Sequence, residues 1–213
     1  NIRKLNLKES LPSDISSLNI VVLTKTKKNY SNNNLPLFGI SDHIFKTFDD
    51  RPNLFTKREV RVQILADLEL PKNGVIWDIG AGCGSIGLEA LKLRPNLDLF
   101  CIDKRIGSKA LILENSKRLG VKPKFIFEED IINTLNKRNL SSLEKPNRLV
   151  IGGCDKKTKL QIINTVANCM SIGDIIVIPI IDIQTIKELK EELEDKNFKT
   201  NLNLIQTYKS LSI

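Results

Sequence analysis

The sequence predicts an α/β fold built on a mostly parallel, doubly wound sheet, and three observations carry that expectation. From residue 56 onward, short apolar runs alternate with longer segments whose apolar residues recur at helical spacing. One of those runs enters a glycine-dense turn and then a helix, Val75-Ile76-Trp77-Asp78-Ile79-Gly80-Ala81-Gly82-Cys83-Gly84-Ser85-Ile86-Gly87. The next run ends on an acid, Asp103, 23 residues beyond Gly80. Strands separated by helices pair in parallel, because each connection must cross back over the sheet, and the crossover helices then cover both faces.

The elements follow in order. Residues 18–23 (Leu18-Asn19-Ile20-Val21-Val22-Leu23) form one short apolar run and predict an isolated strand, followed by a polar linker at 25–34 with three consecutive asparagines. Residues 37–55 have no period and predict an ordered loop laid over the core. Thr56-Lys57-Arg58-Glu59 has the pattern of a capping box, and Val60, Ile64, Leu65 and Leu68 continue it as a helix. Strands are then expected at 75–79, 97–102, 124–127, 148–151 and 175–180, with helices at 85–93, 108–119, 131–140, 156–170 and 184–196. A last strand is expected over 199–211.

Composition excludes several classes. The chain has 213 residues, 41% of them hydrophobic and 27% charged, so it buries a real core and is neither low-complexity nor globally disordered. The longest apolar run, 175–181, is broken by Pro179 and is far short of the roughly 20 residues of a membrane-spanning helix. The first residues carry no signal-peptide core, so a cytoplasmic protein is expected. Four cysteines (Cys83, Cys101, Cys154, Cys169) show no C-x-x-C spacing, and His43 is the sole histidine. No metal site and no disulfide framework are expected, and a Ser-His-Asp triad lacks its parts. The net charge of +8 is split evenly between residues 1–60 and the rest. It forms neither a basic tail nor an arginine cluster, which leaves a solvated basic surface, nucleic acid or a polyanionic small substrate as readings.

The glycine turn carries the chemistry. Glycines permit tight turning and close approach of backbone to a ligand, and the turn ends on a helix N-terminus. Asp103 stands near the roughly 20-residue distance expected of an acid that holds ribose hydroxyls. Gly82-x-Gly84-x-x-Gly87 formally matches a dinucleotide fingerprint, so a nicotinamide cofactor is one candidate. Asp78 favours another. Its carboxylate would repel a pyrophosphate, whereas S-adenosyl-L-methionine has no phosphate and carries an ammonium and a sulfonium. The D-x-G-x-G-x-G arrangement with Asp103 is the signature of Rossmann-like class I S-adenosylmethionine-dependent methyltransferases. Asp130, after the third strand, is expected to meet the adenine amino group, to cap its helix, or both, with Ile131 against the base. After the fourth strand, Gly152-Gly153 replaces the N/D-P-P-aromatic and Pro-Cys motifs of other methylases. It either leaves room for a flat acceptor or is a plain turn.

Four blocks taken together resemble a known family. Gly39-Ile40-Ser41-Asp42-His43-Ile44-Phe45, Phe55-Thr56-Lys57-Arg58-Glu59-Val60-Arg61, the block from Trp77 to Ser85, and Ile151-Gly152-Gly153 occur in that order. Over about residues 37–211 they look like the C-terminal domain of the decarboxylating precorrin-6Y C5,15-methyltransferases of cobalamin (vitamin B12) biosynthesis. That family methylates a precorrin at C15 and removes the C12 acetate carboxyl. Residues 16–23 resemble the last strand of the C5-methylating domain fused upstream in the bifunctional enzymes. The resemblance thus implies a domain at 36–213 preceded, at 1–35, by the tail of a tetrapyrrole methylase domain and a linker, with an incomplete C-terminal hairpin.

The resemblance also implies roles. Thr56, Asp78, Gly80, Ala81, Gly82, Cys83, Gly84, Asp103, Asp130 and Ile131 would hold S-adenosylmethionine. Asp42, Lys57, Gly152 and Gly153 would border an anionic tetrapyrrole. Lys57, Arg58 and Arg61 are expected near the cofactor mouth. A homo-oligomer is implied, with a tetramer as one candidate. Two places depart from the family: Cys154-Asp155-Lys156 stands where Ser-Gly-Gly is usual, and Pro179-Ile180-Ile181-Asp182 where Asn-Ala-Val-Thr is usual. Both lie on the acceptor side. The competing readings are an RNA methyltransferase, against which the 5% aromatic content counts, and a non-catalytic cofactor-binding scaffold.

Overall fold

A computed structural model describes residues 35–138 and 143–207. The strand expected at 18–23 and the linker at 25–34 lie outside the described residues. Five strands form one sheet: β1 (Gly74–Ile79), β2 (Leu97–Ile102), β3 (Phe125–Phe127), β4 (Arg148–Ile151) and β5 (Ile175–Val177). Their order is β3-β2-β1-β4-β5, and every pairing is parallel. The helices are α1 (Arg58–Asp67), α2 (Ser85–Leu93), α3 (Ser108–Leu119), α4 (Ile131–Arg138), α5 (Lys156–Val166) and α6 (Gln184–Asp195).

Alternation along each strand assigns side chains to two cores. Ile76, Leu97, Leu99, Cys101 and Val150 face one layer with Ile64 and Leu65 of α1, Leu88 and Leu91 of α2 and Ile112 of α3. Trp77, Ile79, Phe100, Ile102, Leu149 and Ile151 face the other with Leu135 of α4, Ile162 and Ile163 of α5 and Leu189 of α6. Burial on both faces explains why the strands read as near-continuous apolar runs. Each fully buried large side chain here contributes roughly 1.5–3 kcal/mol of transfer free energy.

The order in which strands are added reverses at β1. The connection β1-α2-β2-α3-β3 runs to one side and β4-α5-β5 to the other. The carboxyl ends of β1 and β4 therefore bracket a topological switch point, where open α/β sheets leave a crevice.

Several boundaries differ from expectation. The helix expected at 156–170 is α-helical to Val166 and closes in a 3-10 turn, Ala167–Cys169. The strand expected to reach residue 180 stops at Val177, because Pro179 follows and β4 offers only Arg148, Leu149 and Val150 as partners. The last expected strand does not form at 199–207, and the rest of that stretch lies outside the described residues. Leu202 and Leu204 alternate as a strand would but find no sheet partner among the described residues, and they stand 70% and 89% exposed.

The capping box also differs. α1 starts at Arg58, one residue later than a Thr56 cap requires, and its N-cap Lys57 supplies no side-chain bond. The Arg58 amide instead donates to Asp42 Oδ1 at 2.9 Å. A carboxylate from the preceding loop has taken the place of the local hydroxyl.

Candidate active site

Backbone hydrogen bonds set the path of the glycine turn. The Gly80 and Ala81 amides donate to the Ile102 carbonyl at 2.8 and 3.2 Å, and the Gly84 amide donates to Ala81 at 2.8 Å. Gly80 and Gly84 have φ of +71° and +79°. Gly80 packs directly on the double glycine after β4: a Cβ placed on it would lie 2.2 Å from the Gly152 carbonyl oxygen. The two turns expected to hold the cofactor and face the acceptor thus touch each other. Gly82 has open space where its Cβ would stand.

A cavity of about 460 Å³ opens in front of this turn. Its floor is Ile79, Gly80 and Gly82, and its flank carries Ile102 and Asp103 from the end of β2 and Asp130 and Ile131 from the start of α4. Gly153, Cys154 and Thr158 close the β4 side. That volume suits a nucleoside-sized ligand. Asp103 accepts the Gly82 amide on Oδ2 at 2.7 Å and the Arg105 amide on Oδ1 at 2.8 Å. An ionised carboxylate has about four acceptor sites, so it can still receive ligand hydroxyls. Asp130 caps α4, its Oδ1 accepting the Ile132 amide at 2.9 Å.

Asp78 lies elsewhere than in the cavity wall. It points to the α2 layer, buried, and its Oδ2 accepts the Gly87 amide at 3.0 Å. Gly87 is required by this approach, since a Cβ there would meet Leu99 Cδ1 at 2.7 Å and Asp78 Oδ2 at 3.0 Å. Burial raises the Asp78 carboxyl from 3.8 to about 7, the Gly87 amide opposes the rise, and the charge of Asp103 adds to it. The unfolded chain releases this proton near pH 4 and the folded protein near pH 7. Within that window the folded state holds a proton that the unfolded state has lost, so stability falls as pH rises from about 4 to about 7 and levels off above. The full window is worth on the order of 4 kcal/mol. Asp78→Asn is expected to remove this component. Thermal unfolding of the ligand-free protein across that range checks it, and an unchanged slope in the variant contradicts it.

Other expected residues take varied positions. Ala81 and Cys83 are buried within the turn, the Cys83 carbonyl accepting Asn115 Nδ2 at 2.9 Å. Thr56 contributes its carbonyl to Arg61 at 2.7 Å. Lys57 Nζ sits 4.2 Å from the Phe55 ring centroid. Asp42 caps α1. None of these five side chains, nor Gly84 or Gly152, lines the cavity. Arg61 corrects the expectation of a mouth residue: it is fully buried, with Nε 2.6 Å from Glu89 Oε2. The cysteine thiols are all free, and burial pushes Cys83, Cys101 and Cys154 up, which disfavours the nucleophilic thiolate. Among the described residues no group of three or more His, Cys, Asp or Glu could hold a metal ion.

The front wall was missed by sequence reasoning. Phe48, Arg51 and Leu54 line the cavity, from a segment without period. Arg105 fastens it, donating to Asp50 at 2.6 and 2.5 Å while its guanidinium lies 3.9 Å from the Phe48 ring centroid. Arg51, Lys104 and Arg105 bring three cations to the cavity lining.

Known proteins are similar to this chain in sequence and fold. A family model described as the precorrin methyltransferase domain matches residues 47–210. A Saccharolobus solfataricus protein named "Probable cobalt-precorrin-6B C(15)-methyltransferase (decarboxylating)" is 31% identical over 173 residues, 79% of this chain and 81% of the relative. A Sinorhizobium protein named "Precorrin-6Y C(5,15)-methyltransferase [decarboxylating]" is 34% identical over 120 residues, 56% of this chain but 27% of that longer relative. The crystal structure of a precorrin-6Y C5,15-methyltransferase from Geobacter metallireducens superposes with a TM-score of 0.67 at 29% identity, covering 78% of this chain and 84% of that one. Since the family model begins at the cavity's front wall and takes in every strand and the glycine turn, this chain belongs to the precorrin methyltransferase domain family and has its Rossmann-like methyltransferase fold.

Proposed function

We propose that this chain methylates C15 of a precorrin with S-adenosylmethionine and removes the C12 acetate carboxyl as carbon dioxide, as a step of cobalamin biosynthesis. The observation that carries the reading is the cavity at the switch point, with Asp103 and Asp130 on its flank and the Gly80 turn as its floor. The residues fit the cofactor. Asp103 keeps acceptor sites for ribose hydroxyls, Asp130 and Ile131 offer a carboxylate and an apolar surface to adenine, and the vacant Cβ space of Gly82 lets backbone come close to the methionine end. Ala81, Cys83 and Gly84 keep that turn in shape, and Asp78 braces the start of α2 beneath it by accepting the Gly87 amide. Bound there, S-adenosylmethionine supplies an electrophilic methyl group.

The chain's own contribution is placement. Holding two reactants in line gives effective molarities of about 10⁵–10⁸ M without a protein nucleophile, in keeping with raised thiol pKa values and a sole histidine. Gly152 and Gly153, with the 39–57 segment, border the acceptor. Arg51, Lys104 and Arg105 favour a polycarboxylate, as does the +8 net charge. Residues 36–213 act as the methyltransferase domain in this reading, with 1–35 as the tail of an upstream C5-methylating domain, in the cytoplasm and as a homo-oligomer, a tetramer being one candidate. No helix among the described residues is long and apolar enough to cross a membrane.

Tritiated-methyl S-adenosylmethionine offered with either a precorrin-6B-type tetrapyrrole or bulk transfer RNA tests the acceptor. Label is expected in the tetrapyrrole. Label in RNA alone would establish the RNA methyltransferase reading, and binding without transfer to either would favour a scaffold.

A further inference from the structure

We propose that the buried Arg61–Glu89 pair is a positioning device for methyl transfer, fixing the 39–46 segment and through it the cavity's front wall. The inference rests on the reading of the cavity as the cofactor site. Both side chains are 0% exposed and 2.6 Å apart. A buried ion pair is a weak source of stability, because desolvation offsets most of its attraction, so what it fixes in space matters more. Here it fixes one segment. Glu89 Oε1 accepts the amides of Gly39 and of Ile40, the latter at 3.2 Å. Arg61 Nη2 donates to the Ile40 carbonyl, and Nη1 donates to the Thr56 carbonyl at 2.7 Å and to Asp42 at 3.3 Å. The Phe45 ring lies over the guanidinium, 4.7 Å from centroid to carbon.

The two ends of the front wall are thereby tied to α1 and α2. Ile40 anchors its entry and Thr56 its exit, and between them stand Phe48, Arg51 and Leu54 of the cavity. Asn115 adds a link to the glycine turn: it accepts the Lys46 amide at 2.8 Å and donates to the carbonyls of Lys46 and Cys83, both at 2.9 Å. Only a planar fork serves Glu89 and two carbonyls together, so lysine at position 61 would keep the charge and lose the geometry.

Two variants test this, R61M/E89L and R61K. The readouts are thermal unfolding, amide exchange, calorimetric affinity for S-adenosylhomocysteine, and kcat and KM of methyl transfer. R61M/E89L is expected to unfold cooperatively, with exchange accelerated in residues 39–46 and unchanged in β1, β2 and β4. Its affinity for S-adenosylhomocysteine should weaken, and kcat/KM should fall about 100-fold, mostly in kcat, as for a reacting group misplaced by about 1 Å. A folded double variant within about threefold of wild-type kcat/KM, or one whose exchange rises uniformly, overturns the proposal. If the double variant does not fold, R61K decides. A folded R61K with kcat/KM lowered at least about tenfold supports positioning by the fork; wild-type turnover or failure to fold overturns it. Exchange and S-adenosylhomocysteine affinity need no acceptor. A wild-type chain that binds S-adenosylhomocysteine but methylates no precorrin would therefore fail the reaction assigned above, while the positioning claim would still be judged.

Discussion

Gly80→Ala is expected to cost on the order of 4 kcal/mol, whereas Gly82→Ala, two residues along the same turn, costs about 1 kcal/mol. Both positions have positive φ, +71° and +59°, so alanine strains either backbone. They differ in what the new methyl meets. At Gly80 it meets main chain: the Gly152 carbonyl oxygen at 2.2 Å, its carbon at 2.7 Å and Gly153 Cα at 3.2 Å. Main chain at the ends of two central strands cannot rotate aside, so β1 and β4 must separate or the turn must rebuild. At Gly82 the methyl enters the cavity with nothing within 4 Å. For a chain of this size, 1 kcal/mol corresponds to about 2–4 °C in Tm. Gly80→Ala should therefore lower Tm by roughly 8–16 °C, and Gly82→Ala by a few degrees at most, with its loss appearing in affinity for S-adenosylhomocysteine. Equal Tm losses for the two variants would contradict the packing of one glycine turn on the other.

Asp103→Asn is expected to weaken S-adenosylhomocysteine binding about 10²–10³-fold with little change in Tm. Hydrogen bonds to a charged group contribute about 1.5–3 kcal/mol each, and two ribose hydroxyls are at stake. The amide keeps one acceptor oxygen for the Gly82 and Arg105 amides that the carboxylate now shares between two. One backbone N–H is then left to water, an affordable change in a half-exposed group. Isothermal titration calorimetry reads the effect, and a change below about threefold would remove Asp103 from the ribose-binding role. Asp130→Ala should show the opposite balance, since its carboxylate also caps α4, and lost caps cost about 1 kcal/mol of stability.

The sheet was legible because strands buried on both faces are short and apolar, and the glycine turn because few residue types tolerate its backbone. Asp103, Asp130, Gly80, Gly82 and Gly153 meet at one cavity because the switch point puts their strand ends together, a consequence of topology that alternation already implied. The front wall was illegible. Phe48 and Leu54 follow no period, and Arg105 reaches Asp50 across 55 residues of sequence. Thr56 shows a local pattern losing to a tertiary one, with Asp42 as the acceptor actually used. Arg61 did carry a signal. With Ile64, Leu65 and Leu68 it shares the i, i+3, i+4, i+7 stripe of α1, so a charge there faces the core, and Glu89 lies in a helix apolar nearly all round. Asp78 was expected at the ligand from its place beside the turn. Strand alternation directs it to α2 instead, on the same face as Ile76.

In the proposed reaction one cavity both methylates and decarboxylates a precorrin. Mass spectrometry of a precorrin-6B-type tetrapyrrole after incubation with S-adenosylmethionine and this protein reads both steps at once. Gain of one methyl group together with loss of one carbon dioxide is the predicted result. Methyl gain alone would confine the activity to transfer and locate the divergence on the acceptor side, around Cys154 and Pro179. An unchanged tetrapyrrole, with S-adenosylhomocysteine shown to bind, would contradict it.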